Sequence, residues 1–192
     1  MAQAELTIDL DAVAANWRAL AGRAAHGART GAVVKADGYG HGAVMAAQTA
    51  LLNGASHLAV ASFLEAMALR DAGVDAPILV LTYAPDHAVR RAVQRNITLT
   101  CFDLEQARAY DRAAEAAGGK LRVHVKVDTG MGRLGMFPDE AMPFFRQVAS
   151  FEHIEIEGIY THFSSADDDS DYTNEQIRRF KQVVRPLQAG GF

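Results

Sequence analysis

Cysteine is almost missing from this chain. Cys101 is the only one in 192 residues, so no intrachain disulfide is possible. A lone thiol suits a reducing compartment. Long apolar runs are missing too, and none approaches the roughly 20 residues that a membrane helix needs. The opening MAQAELTIDLDAVAANW meets an acidic residue at Glu5 and lacks the basic start and apolar core of a secretory leader. The expectation is a cytoplasmic protein. There is no basic excess either: the formal net charge is -4, and lysines and arginines are scattered along helix-like segments. That argues against a nucleic-acid partner, which calls for a basic stripe. The composition is 49% hydrophobic and 22% charged, ordinary for a globular protein. The length suits one sizeable core or part of a larger one.

What remains is an alternation of short β-branched runs and longer helix-like runs. Leu10, Val13, Trp17 and Leu20 share one face of a predicted helix over Asp9 to Ala21. Strands are predicted at Gly31 to Ala36, His57 to Ala61, Pro77 to Thr82, Ile97 to Phe102, Leu121 to Val127 and Ile154 to His162. Between them lie helices from Ala43 to Leu52, from a Ser62/Glu65 capping box to Gly73, around His87 to Gln94, from Asp103 to Gly118, and from Pro138 to near Ala149. A last helix is predicted from a Thr173/Gln176 capping box, with Ile177, Phe180, Val184 and Leu187 on one face. Pro186 should kink or end it. Six strands alternating with helices predict a parallel α/β fold over residues 1–192, either a doubly wound sheet or a β/α barrel short of two strands.

Catalytic groups of such folds gather where strands end. Three segments there stand out. In AVVKADGYGHG, Lys35 ends an apolar run and could serve as an amine nucleophile, with Tyr39 four residues on among glycines that allow close backbone approach. The alternative is a surface lysine beside a flexible turn. In KVDTGMGRLG, Lys126 lies within the strand and Asp128 at its end. A glycine-rich loop there presents Met131 and Arg133, whose donor fork suits a carboxylate or oxyanion. The alternative is an ordinary salt bridge. In THFSSAD, His162 ends the sixth strand as an acid, base, ligand or structural residue. The following run of aspartates lacks the spacing of a calcium loop and reads as a solvated helix start.

Together these segments resemble alanine racemases, the barrel-type pyridoxal 5′-phosphate enzymes. AVVKADGYGHG resembles their cofactor-attachment signature, and KVDTGMGRLG and THFSSAD resemble two further signatures in the same order. The resemblance covers essentially the whole chain. It implies a (β/α)8 TIM-type barrel, cut off here after six strands, followed in the family by a C-terminal β domain absent from this sequence. It also implies a homodimer and interconversion of L- and D-alanine for peptidoglycan. Lys35 would bind pyridoxal 5′-phosphate as an internal aldimine and act as one of two bases. Tyr39 would hydrogen-bond the cofactor phosphate. Arg133 would lie by the cofactor's phenolic oxygen and the substrate carboxylate, with Met131 beside the substrate. Lys126 matches a position often carbamylated, where it would orient Arg133. His162 would stand near the pyridine ring. No metal is implied.

The family's second base, a tyrosine, belongs to the domain this chain lacks, so the chain alone is expected to be inactive. Two open sheet edges should favour dimerisation or association. Alternatives are another barrel-type racemase, a decarboxylase of the same fold, a non-catalytic pyridoxal-phosphate-binding protein, or a fragment that binds no cofactor.

Overall fold

A computed structural model describes residues 4–191. They fall into two compact units, divided between Leu81 and Thr82. The fold is α/β, and its six strands alternate with helices along the chain.

In the first unit, helix α1 (Leu10–Ala21) begins where the Asp9 carboxylate accepts the Ala12 N–H at 3.0 Å. The apolar face expected of α1 is only partly used. Ala14 is buried, whereas Leu20 is 68% exposed. Strand β1 (Gly31–Val33) leads into a single turn, α2 (Lys35–Tyr39), and then helix α3 (Ala43–Leu52). Strand β2 (His57–Val60), helix α4 (Phe63–Asp71) and strand β3 (Ile78–Val80) complete the unit. The three strands pair in parallel, β1 with β2 and β2 with β3. Leu58, Val60, Leu69, Ile78 and Val80 are buried. Each such side chain is worth about 1.5–3 kcal/mol in burial. The Ser62/Glu65 capping box is present and opens α4 as expected.

The second unit starts with a 3-10 turn (Asp86–Ala88) running into helix α5 (Val89–Gln94). Strand β4 (Ile97–Cys101), helix α6 (Leu104–Ala116), strand β5 (Leu121–Lys126), helix α7 (Pro138–Val148), strand β6 (Ile154–Tyr160) and helix α8 (Ser170–Ala189) follow. Strands β4, β5 and β6 pair in parallel, in that order. Along β5, Leu121, Val123 and Val125 are fully buried, while Arg122 and His124 are only partly covered. This is the alternation of a strand with one apolar and one polar face. The register against β6 slips by one residue after Val123, leaving Glu157 as the extra residue of a bulge. Its carboxylate meets Arg122 at 3.1 Å and the Thr98 hydroxyl at 3.0 Å.

Helix α8 departs from expectation at both ends. It starts at Ser170, because the Asp169 carboxylate, not Thr173, accepts the capping N–H, from Tyr172 at 2.9 Å. It also runs past Pro186 to Ala189. Among the described residues no helix is long and apolar enough to cross a membrane.

Candidate functional site

Strand β1 stops at Val33, so Lys35 is not a strand residue as expected but the first residue of α2. That turn is left-handed. Ala36, Asp37, Gly38 and Tyr39 have φ of 51°, 53°, 62° and 55°. Such a conformation costs about 1–2 kcal/mol per residue carrying a Cβ, so surrounding contacts must hold it. Some are local: the Gly38 N–H bonds the Val34 carbonyl at 3.0 Å, and the Gly40 N–H bonds that of Ala36 at 3.1 Å. The Asp37 carboxylate accepts the Ala43 N–H at 2.8 Å, tying the turn to α3. One contact is remote. The Glu65 carboxylate accepts the Ala36 N–H at 2.8 Å, and also those of Ala61 at 2.8 Å and Ser62 at 2.9 Å. The Lys35 side chain is half-buried, its Nζ 5.8 Å from the centre of the exposed Tyr39 ring. Among the described residues neither Lys35 nor Tyr39 is engaged by a carboxylate.

The second unit builds a loop after β5. The Asp128 carboxylate accepts N–H groups from Gly130 at 2.9 Å, Gly132 at 3.1 Å and Arg133 at 3.0 Å. The loop closes where the Asp128 N–H bonds the Met136 carbonyl at 2.8 Å and the Met136 N–H bonds that of Lys126 at 3.1 Å. Gly135 makes the closure possible: at φ 127°, a Cβ there would lie 2.7 Å from the Asp128 nitrogen. Burial alone would raise the Asp128 carboxyl, but the inward-facing N–H groups outweigh it and hold the pKa below the usual range. The loop presents Met131, half-buried, and Arg133, exposed.

Lys126 is buried, with its Nζ 4.5 Å from the centre of the Tyr160 ring. Burial, then the nearby Arg133 charge, lowers its pKa, with Asp128 opposing. The Tyr160 hydroxyl shares a 2.8 Å hydrogen bond with Thr100, and burial pushes its pKa up to about 12. Lys126, Asp128 and Arg133 thus lie near one another around this loop. His162 sits two residues beyond the end of β6 with its side chain exposed, not at a strand end.

Three residues of α8 pin this loop: Tyr172 and Arg179, to which no sequence pattern pointed, and Gln176, expected only as the capping partner of Thr173, which reaches the Thr129 hydroxyl at 3.3 Å. The Tyr172 hydroxyl donates to the Gly130 carbonyl at 2.6 Å, and Arg179 donates to that of Thr129 at 3.0 Å. Gln176, fully buried, donates to the His162 carbonyl at 3.1 Å and accepts the Ser164 N–H at 3.0 Å. A signal existed for Gln176. It shares a face with Val183 and Leu187, and an amide at a buried helix position needs partners. Among the described residues no cluster of histidine, cysteine and carboxylates could hold a metal.

The family model for the alanine racemase N-terminal domain matches residues 8–192. An alanine racemase of Desulfovibrio desulfuricans is 45% identical over 185 residues, covering 96% of this chain and 50% of that protein. Among solved structures, alanine racemase of Clostridium difficile in complex with cycloserine superposes with a TM-score of 0.89 at 35% identity, covering 96% of this chain and 51% of the other. Histidine racemase of Leuconostoc mesenteroides superposes at 0.85 with 30% identity, covering 91% and 47%. The chain therefore spans about half the length of the proteins it matches. It belongs to the alanine racemase N-terminal domain family.

Proposed function

We propose that this chain is the cofactor-holding barrel portion of a pyridoxal-phosphate-dependent alanine racemase, interconverting L- and D-alanine. The observation that carries the reading is the Lys35 turn. It is a strained left-handed segment that holds a half-buried amine near a phenol and, among the described residues, spends neither group on an ion pair. Strain of that kind persists where surrounding structure over-determines it, as at ligand sites.

The donor set fits the cofactor. The Lys35 amine would attach its aldehyde, and the Tyr39 hydroxyl, exposed and close by, would donate to its phosphate. When bound, the cofactor supplies an electron sink for the charge left by removal of the α-proton. Lys35 Nζ would take or return that proton on one face. A second base is needed on the other. Arg133 would meet the substrate carboxylate with its donor fork, beside Met131. The Asp128 carboxylate fixes the Arg133 backbone, so the guanidinium is presented from a rigid loop. Lys126 would serve Arg133 best without its positive charge. Its depressed pKa favours the neutral amine, which could add carbon dioxide and release one proton to become a carbamate. His162 would stand near the pyridine ring. We place the working enzyme as a cytoplasmic homodimer feeding peptidoglycan synthesis.

The likeness to histidine racemase favours one second reading, a racemase of another amino acid in the same barrel. Two experiments decide. Pyridoxal phosphate added to the chain should give an absorbance band near the visible edge that Lys35→Ala abolishes. A band surviving that substitution overturns the Lys35 assignment. Racemisation of alanine and of histidine, assayed with the chain co-expressed beside a family C-terminal half, separates the substrates. Turnover of histidine but not alanine selects the second reading.

A further inference from the structure

We propose that Glu65 is a positioning residue for Lys35, its carboxylate clamping the left-handed turn on which the lysine stands. The inference rests on the Lys35 reading above. A capping box needs only the bond from the Ser62 N–H to the Glu65 carboxylate, answered by the bond from the Glu65 N–H to the Ser62 hydroxyl at 3.3 Å. Glu65 does more. Its Oε1 takes the Ala36 N–H and its Oε2 also takes that of Ala61, so one side chain joins the exit of β1 to the exit of β2. Ala36 is the neighbour of Lys35 and the first left-handed residue of the turn, at φ 51°. The hydrogen bonds within the turn use the Ala36 carbonyl as acceptor and leave its N–H to Glu65. Bonds from N–H groups to an ionised carboxylate are about twice as strong as neutral ones. Removing the clamp frees Ala36 to relax toward the ordinary right-handed or extended regions, which would swing the Lys35 amine away from Tyr39.

The purely structural alternative is that Glu65 only starts α4 and the turn follows passively. Two variants separate these roles. Ser62→Ala removes the hydroxyl half of the box and leaves the carboxylate. Glu65→Gln replaces one oxygen by an amino group. Three N–H donors then face a single acceptor oxygen, and either orientation of the amide sets donor against donor.

The first measurement needs no cofactor. In the full chain, an acid titration followed by 1H–15N NMR should move the Ala36, Ala61 and Ser62 amides together with one midpoint. Burial alone would raise the Glu65 carboxyl, but the N–H groups of Ser62, Ala36 and Ala61 outweigh it, so that midpoint lies below the ordinary glutamate value. An Ala36 amide that does not follow the other two overturns the clamp. The second measurement compares the two variants at matched thermal stability. Glu65→Gln should weaken retention of pyridoxal phosphate on Lys35 about tenfold, while Ser62→Ala leaves it within about twofold. Equal losses in both variants reduce Glu65 to a helix cap and overturn the proposal. If the wild-type chain takes no cofactor at Lys35, the functional reading fails, and the amide titration still decides the clamp.

Discussion

Two loops carry the candidate chemistry, and each is organised by a carboxylate that accepts backbone N–H groups. They differ in where the carboxylate comes from. Asp128 serves its own loop, bonding residues two, four and five positions ahead. The Lys35 turn is held in part by Glu65, 29 residues from Ala36. A loop that folds on its own aspartate closes at little entropic cost and forms whenever the chain reaches that conformation. A turn clamped from a following helix is held only once β2 and α4 are in place. The first arrangement makes a stiff platform for Arg133, while the second makes the conformation at Lys35 depend on the integrity of its whole unit.

The comparison can be broken most severely at Gly135. With φ 127° and backbone atoms at 2.7 and 2.9 Å from the site of a Cβ, Gly135→Ala should cost about 3 kcal/mol in urea unfolding. Stability equal to wild type would mean that the loop is not rigid. Asp128→Asn comes next, at about 2 kcal/mol, because an amide cannot take the place of two accepting oxygens. The same variant tests the pH dependence. The folded Asp128 pKa is depressed, so its stabilisation is complete above the unfolded value of about 3.9 and disappears as pH falls through the folded value. Asp128→Asn should therefore be less acid-sensitive than wild type below about pH 4. An unchanged acid limb in thermal melts would remove Asp128 from that role.

Gln176→Leu sharpens the contrast from the α8 side. It removes the acceptor of the Ser164 N–H and one donor to the His162 carbonyl, at an expected cost of about 1–2 kcal/mol. Amide shifts should change at Thr129 and Ser164 and remain unaltered at Ala36. The smallest effect is expected at Gly40, where φ is 84° but nothing lies within 4 Å of a Cβ. Gly40→Ala should cost only the backbone term, about 1 kcal/mol. A loss as large as at Gly135 would show that the Lys35 turn has no spare room and would erase the distinction between the loops.

Much of this was legible in residue order. Asp103 and the Ser62/Glu65 pair cap the helices expected of them, because capping is decided within four residues, whereas Asp9, expected as the first residue of α1, is its cap. All six strands lie inside their expected ranges, though shortened, since apolar runs mark buried strands but not where pairing stops. The expected cap at Thr173 was wrong for an instructive reason. Its spacing to Gln176 is correct, but Gln176 faces inward, toward Ser164 and His162, and the nearby Asp169 takes the cap. Pro186 does not end the helix at its own position, and α8 continues three residues past it, to Ala189.

For this protein, the sequence by itself determined the α/β alternation, the family, and the short segments around Lys35, Asp128 and His162. All of these depend on neighbours a few residues apart. Only the tertiary structure decided that Lys35 stands on a left-handed turn rather than a strand, that Glu65 reaches back to Ala36, and that α8 holds the Asp128 loop through Tyr172, Gln176 and Arg179. The physical reason is the same in each case. A backbone N–H or carbonyl carries no mark in the sequence of which distant side chain will satisfy it, and that partner exists only after the elements between have packed.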